Sequence, residues 1–415
     1  MIRRSVLAVL VALGSLAVAS PAFAVDPPLD DARQVDGGEL HTCAVTSDNK
    51  ALCWGDSTYG QVGFGPSGDV GTAVPVFAVD GTGFLSSVRQ VTAGGQHSCA
   101  VLLNNQARCW GDNTHGQLGS GGPSIDHAAV VLNGPGTGPL TGVRSISAGS
   151  KHTCALLVSG QVRCWGFNNG GQLGDGTTTG RPRPVGVRST NGIAPLTDAV
   201  QLSVGAHHAC VRLSNGQARC WGVGEHGRIG DGTQIDRKRA VVVRNETGSA
   251  PLSGVRQLAV GVESVCAVLT SGQVRCWGKN LNFQIGDGTQ QDRFRPTVVR
   301  TDASGFPALA GVSRVAAGGF HACAVLTNGQ ARCWGEGTLG RLGTGLADNE
   351  PYAASVVAPG ACCTIRNVTA LSAGGTSSCA RLANGQLRCW GHNEYGQVGD
   401  ATNDDRFYPV AVTEG

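Results

Sequence analysis

"CAVLTNGQARCWG", residues 323–335, sets two cysteines ten positions apart around a short polar turn, and the chain repeats this phrase seven times. The other copies are "CAVTSDNKALCWG" (43–55), "CAVLLNNQARCWG" (99–111), "CALLVSGQVRCWG" (154–166), "CVRLSNGQARCWG" (210–222), "CAVLTSGQVRCWG" (266–278) and "CARLANGQLRCWG" (379–391). In an antiparallel hairpin with a three-residue loop, pairing is symmetric about the middle loop residue. The facing cysteines therefore centre their loops on Asp48, Asn104, Ser159, Asn215, Ser271, Asn328 and Asn384. The residue after each centre is Asn49, Asn105, Gly160, Gly216, Gly272, Gly329 or Gly385. A type I turn closed by a bulge needs positive φ at that place, which glycine and asparagine tolerate.

Directly opposed cysteines on paired strands come close enough for a disulfide. The expected bridges are Cys43–Cys53, Cys99–Cys109, Cys154–Cys164, Cys210–Cys220, Cys266–Cys276, Cys323–Cys333 and Cys379–Cys389. Zinc is the competing reading, but it takes ligands clustered at C-x-x-C or comparable histidine spacing, and no copy offers that.

Every tryptophan lies in a Cys-Trp-Gly triplet, at spacings of 56, 55, 56, 56, 57 and 56 residues from Trp54 to Trp390. So strict a period argues for one repeat architecture over residues 25–415 rather than for several domains. Between one Trp-Gly and the next Cys run a turn-rich stretch such as "NNGGQLGDGT", a Pro-Val strand such as "RPTVVR", a loop, and a strand ending in glycine such as "VSRVAAGG". With the two hairpin strands this makes four strands per repeat and no helix. The fold class is all-β, a seven-bladed propeller of four-stranded blades. The chain opens on a glycine-ending strand and closes on the Pro-Val strand "RFYPVAV" (406–412). That last strand is expected to complete the first blade and so close the ring.

Composition places the protein outside the reducing cytosol. Residues 1–24, "MIRRSVLAVLVALGSLAVASPAFA", have the basic start, apolar run and small-residue end of a secretory signal peptide. Cleavage is expected after Ala24, with no membrane span afterwards. Without Arg3 and Arg4, 30 Lys+Arg face 29 Asp+Glu, a balance that gives no global pull toward nucleic acid. Sixteen cysteines in an exported chain read as disulfides.

The Gly-x-x-His element (Gly94-Gly95-Gln96-His97), the apolar strand, the glycine turn, Trp-Gly and "NTHGQLG" (113–119) together resemble the regulator-of-chromosome-condensation repeat. The resemblance covers nearly the whole mature chain. It implies a seven-bladed propeller used for protein binding. The founding member is a nuclear exchange factor for a small GTPase that also binds chromatin, and exported relatives include an inhibitor of β-lactamases. The regular cysteine pair departs from the family pattern, which marks an exported branch and argues against a nuclear exchange role.

Several residues stand out. Histidine precedes the first cysteine by two in five copies, His41, His97, His152, His208 and His321, and the resemblance implies hydrogen bonding to backbone between blades. Arg108, Arg163, Arg219, Arg275, Arg332 and Arg388 precede the second cysteine, a repetition expected of a blade-to-blade contact. What breaks the period is more informative about partners. Arg181, Arg183, Arg237, Lys238, Arg239, Arg293 and Arg295 fall at related positions on three consecutive blades, a basic arc suited to an acidic protein or polysaccharide. Cys362-Cys363 belongs to no hairpin and is expected as a vicinal disulfide. The "GDGT" turns offer one Asp each, too few oxygens for calcium. No lone nucleophile or acid/base pair stands apart from the repeats. The expectation is a non-enzymatic, cofactor-free, monomeric scaffold, or alternatively an inhibitor of a secreted enzyme.

Overall fold

A computed structural model describes residues 27–65, 68–304, 307–360 and 363–415. The signal segment, and with it the cleavage site after Ala24, lies outside the described residues.

Seven four-stranded antiparallel sheets form the blades of a propeller. The first blade is built from Ala32–Gly37, His41–Thr46, Ala51–Gly55 and Val70–Pro75, paired in that order from the axis outward. The same plan recurs to the last blade, Val368–Ala373, Ser377–Leu382, Leu387–Gly391 and Arg406–Ala411. Among the described residues the helical pieces are two three-residue 3₁₀ turns, Glu225–Gly227 and Thr338–Gly340. No helix among them is long and apolar enough to cross a membrane.

The hairpin reading holds at each copy. Cys43 pairs with Cys53 across the ladder, and all seven pairs are bridged, with Cα atoms 4.0–4.1 Å apart. Asn49 and Asn105 have φ of 68° and 61°, and Gly160, Gly216, Gly272, Gly329 and Gly385 are positive as well.

The sequence expectation about closure is corrected. Arg406–Ala411 pairs with its own blade, Arg388 opposite Ala411 and Gly391 opposite Arg406, while the first blade carries its own outer strand, with Val74 opposite Cys53. The reason is one of framing: a unit running from glycine-ending strand to Pro-Val strand already holds four strands, so the first and last blades are both whole. Past that strand, the tail at residues 412–415 reaches across the seam to the first blade. Leu29 N–H donates to Val412 O (2.8 Å), and Ala73 N–H donates to Thr413 O (2.9 Å). The second bond repeats at ordinary junctions, where Ala128 donates to Phe77 O and Ala240 to Arg188 O, so the seam is a blade junction like the others.

The junctions contain the core. Each apolar cluster joins one blade's disulfide to the next blade's tryptophan: Cys43 and Cys53 with Trp110, Cys154 and Cys164 with Trp221, and Cys379 and Cys389 with Trp54 across the seam. All seven indoles are fully buried, each removing on the order of 200 Å² from water. The glycine closing each "GQLG" turn makes room for the ring. A Cβ at Gly119, where φ is +68°, would lie 2.8 Å from Trp165 Nε1.

Candidate functional site

The residues that recur in every repeat turn out to be fasteners between blades. Each indole N–H donates to a carbonyl of the preceding blade: Trp110 to Gln61 O at 2.9 Å, Trp165 to Gln117 O at 2.8 Å, and Trp54 to Gln397 O at 3.0 Å. The histidines serve the same junction, but not through backbone as expected. His41 Nε2 meets Ser98 Oγ, His97 Nε2 meets Thr153 Oγ1, and His321 Nε2 meets Ser378 Oγ, all at 2.7 Å. Since each hydroxyl donates onward to a backbone carbonyl, Nε2–H is the donor, and Nδ1 is left buried without a partner. His152 and His208 face Ala209 and Val265, which have no hydroxyl to offer, and both Nδ1 and Nε2 of His208 lack a partner. Burial holds these rings neutral, depressing His41 to about 4 and His97, His152 and His321 to about 3.

The inner strands are laced around the axis. The side chain of Asp36, Thr92, Ser147, Ser203 or Ser372 accepts the N–H of Ala93, Ala148, Val204, Val260 or Gly37 on the next blade. Positions 259 and 316, both Ala, omit this link. These groups wall a polar chamber of about 210 Å³ below a collar of glycines. In the collar, a Cβ at Gly94 would meet Gly149 O at 2.5 Å. Burial pushes Asp36 up to about 6 despite its hydrogen bonds.

The arginines before the second cysteine bond chiefly within their own blade, which corrects the expectation of a blade-to-blade contact; Arg275 alone among them also reaches an acid of the preceding blade's loop, Glu246 at 4.0 Å, among the described residues. Arg108, Arg163, Arg219, Arg275 and Arg388 each donate to the Gln two positions earlier in their own blade, and Arg332 donates to Ala353 O, also in its own blade.

The basic arc divides into two sets. Arg181, Arg237 and Arg293 turn back to the Asp of their own "GDGT" turn, with Arg237–Asp231 at 2.6 Å and Arg293–Asp287 at 2.5 Å. Those Asp residues also accept the N–H and hydroxyl of the turn's Thr, which gives the turn a structural purpose. Arg183, Arg239, Arg295 and Lys238 are exposed on the outer wall, and among the described residues they make no ion pair. Of the vicinal pair, Cys362 lies outside the described residues and Cys363 is exposed.

Two buried arginines were missed by the sequence reading. Arg228 and Arg341 stand where five repeats have Gln, and they are 1% and 3% exposed. Arg228 lies 3.7 Å from both Glu225 and Glu263 of the next blade, and Glu263 pairs with Lys279 at 2.6 Å. The available signal was the substitution itself, "HGRIG" and "LGRLG" in place of "GQLG". Among the described residues no three His, Cys, Asp or Glu side chains gather as a metal site.

Comparison with known proteins agrees with this geometry. Residues 127–415 match the RCC1-like domain, and residues 32–61, 88–117 and 48–101 match the Regulator of chromosome condensation (RCC1) repeat. The Ultraviolet-B receptor UVR8 of Arabidopsis thaliana is 29% identical over 311 residues, 74% of this chain and 66% of the receptor, just under two thirds of its length. The E3 ubiquitin-protein ligase HERC2 of Homo sapiens is 28% identical over 317 residues, which cover 75% of this chain but 6% of the ligase. Prp20p of Saccharomyces cerevisiae, studied for its binding to Gsp1p and histones, superposes with a TM-score of 0.67 at 19% identity, covering 91% of this chain and 88% of its own. With the domain match running over more than half of its residues, the chain belongs to the RCC1-like domain family.

Proposed function

We propose that this protein is an exported, disulfide-stapled interaction scaffold that performs no chemistry of its own and holds a protein partner on its outer surface. One observation carries this reading: the cysteines, tryptophans and histidines that recur from blade to blade are buried in the junctions, while Arg183, Lys238, Arg239 and Arg295, which break the repeat, stand exposed on the outer wall. A ring fastened by buried indoles and bridged hairpins offers a rigid frame, and rigid frames lose little entropy on binding. Seven disulfides suit an oxidising compartment. Prp20p, described with the protein ligands Gsp1p and histones, supplies precedent for the fold in protein binding.

The test is chemical cross-linking of the tagged, secreted chain in its native surroundings, followed by identification of what it holds. Reproducible capture of a particular protein is the expected result, and no captured protein would refute the scaffold. Should the captured protein be an enzyme whose activity falls on titration with the chain, the scaffold is an inhibitor.

A further inference from the structure

We propose that an acidic, extended protein segment docks along the side wall of the propeller, over a belt formed by Arg183, Arg239, Arg295, Tyr352 and Tyr408. This rests on the scaffold reading and goes beyond it by naming the surface and the chemistry of the partner.

The five side chains share one place in the fold, the third residue of the outer strands Arg181–Gly186, Arg237–Val242, Arg293–Val298, Glu350–Ser355 and Arg406–Ala411. Each lies against a bare glycine of the preceding blade. A Cβ at Gly136 would be 2.5 Å from Arg183 Cζ, one at Gly192 2.6 Å from Arg239 Cζ, and one at Gly248 2.8 Å from Arg295 Cζ. Likewise a Cβ at Gly288 would be 2.6 Å from Tyr352 Cε1, and one at Gly345 2.6 Å from Tyr408 Cε1. The planar groups are therefore laid on backbone and held in place before any partner arrives, which lowers the ordering cost of binding. Arginine and tyrosine are also the side chains that anchor protein interfaces.

Charge supplies the direction of approach. Residues 143–311, the third to fifth blades, carry 19 Lys+Arg against 10 Asp+Glu, whereas residues 27–142 carry 4 against 10. The ring is thus cationic on one side and acidic on the other, and a carboxylate-bearing partner is steered to the cationic side. The arginine-to-carboxylate vacancy is local as well, since the belt arginines make no ion pair among the described residues while their neighbours Arg181, Arg237 and Arg293 do. A uniformly charged polysaccharide would use the arginines but not the two tyrosines that continue the belt. A peptide carrying carboxylates together with apolar or aromatic side chains would use both, and Ile193, 84% exposed and next in sequence to Gly192, adds an apolar side chain to that surface.

The probes are a fluorescein-labelled synthetic peptide rich in Glu with interspersed Leu and Tyr, and fluorescein-labelled heparin, each titrated against the full chain. Salt-sensitive peptide binding is expected, falling at least ~10-fold in an R183E/R239E/R295E variant whose thermal midpoint is retained. A Y352A/Y408A variant should weaken peptide binding at least ~3-fold and leave heparin unaffected. Equal peptide affinity for wild type and the arginine variant, or binding of heparin alone, would overturn the belt. If cross-linked capture persists unchanged in the arginine variant, the belt falls and the scaffold stands; if wild type captures no protein, the scaffold itself falls.

Discussion

Acid should unfasten the ring through its junction histidines. His41, His97, His152, His208 and His321 are at most 1% exposed. Where a ring donates from Nε2, protonation would place a second N–H at Nδ1, which has no acceptor. Folding therefore favours the neutral ring. A group with its folded value depressed contributes stability that is complete above the unfolded value of 6.5 and is lost as pH falls. With His97, His152 and His321 held at about 3, each gives up roughly 2.5 kcal/mol between pH 7 and 4.5. His41, held at about 4, adds a similar amount. Asp36 acts with the opposite sign. Its folded value, raised to about 6, stabilises the ring as pH falls toward 3.8, offsetting about 2 kcal/mol by pH 4.5. The histidines win by number, and a net loss on the order of 8 kcal/mol is comparable to the whole stability of a domain. The assay is guanidinium unfolding at a series of pH values with disulfides intact. H97Q, whose amide can still donate to Thr153, should have a shallower pH slope by about 1.4 kcal/mol per pH unit below pH 6. Stability that stays level from pH 7 to 4.5, or a wild-type slope in H97Q, would show that the junction histidines do not set the acid limit of the fold.

Three further perturbations probe the junctions and the wall. Replacing Cys266 and Cys276 together by Ala opens one staple of a small loop, so unfolding should become easier by roughly 2–3 kcal/mol with the blade count unchanged in a solved structure. Trp221→Phe keeps most of the buried ring but strips the donor from Gln172 O (2.9 Å), and denaturation should register about 1–3 kcal/mol, more than for Phe exchanges on the surface. Gly248→Ala forces a side chain into φ +78° and into the Arg295 slot; a cost near 1 kcal/mol and weaker binding of the acidic peptide are expected by denaturation and anisotropy.

Much of this molecule was legible as text because its repeat is short and strict. Blade number, turn chemistry and the seven bridges followed from one thirteen-residue phrase, and strand number from the strand patterns between its copies, since hairpin register and glycine at positive φ are local properties. Ring closure was misread because pattern alone does not say whether Arg406–Ala411 pairs with Leu387–Gly391 or with the first blade; pairing across space decides that. The histidine acceptors were hidden for a related reason, as Ser98 and Thr153 lie a full repeat away from His41 and His97. The basic arc was seen as one group of seven, yet a fixed spacing of six from Asp175, Asp231 and Asp287 to Arg181, Arg237 and Arg293 marks the members that are already neutralised. The belt itself was illegible, because its glycine beds belong to the loops of neighbouring blades.

Seven self-contained blades, each stapled across its own hairpin, are what make the propeller a rigid frame. Non-reducing peptide mapping of the secreted protein by mass spectrometry addresses this directly. The expected result is seven intra-hairpin links, Cys43 to Cys53 through Cys379 to Cys389, at the constant separation of ten residues. Free thiols at those positions, or links joining cysteines of different repeats, would contradict it.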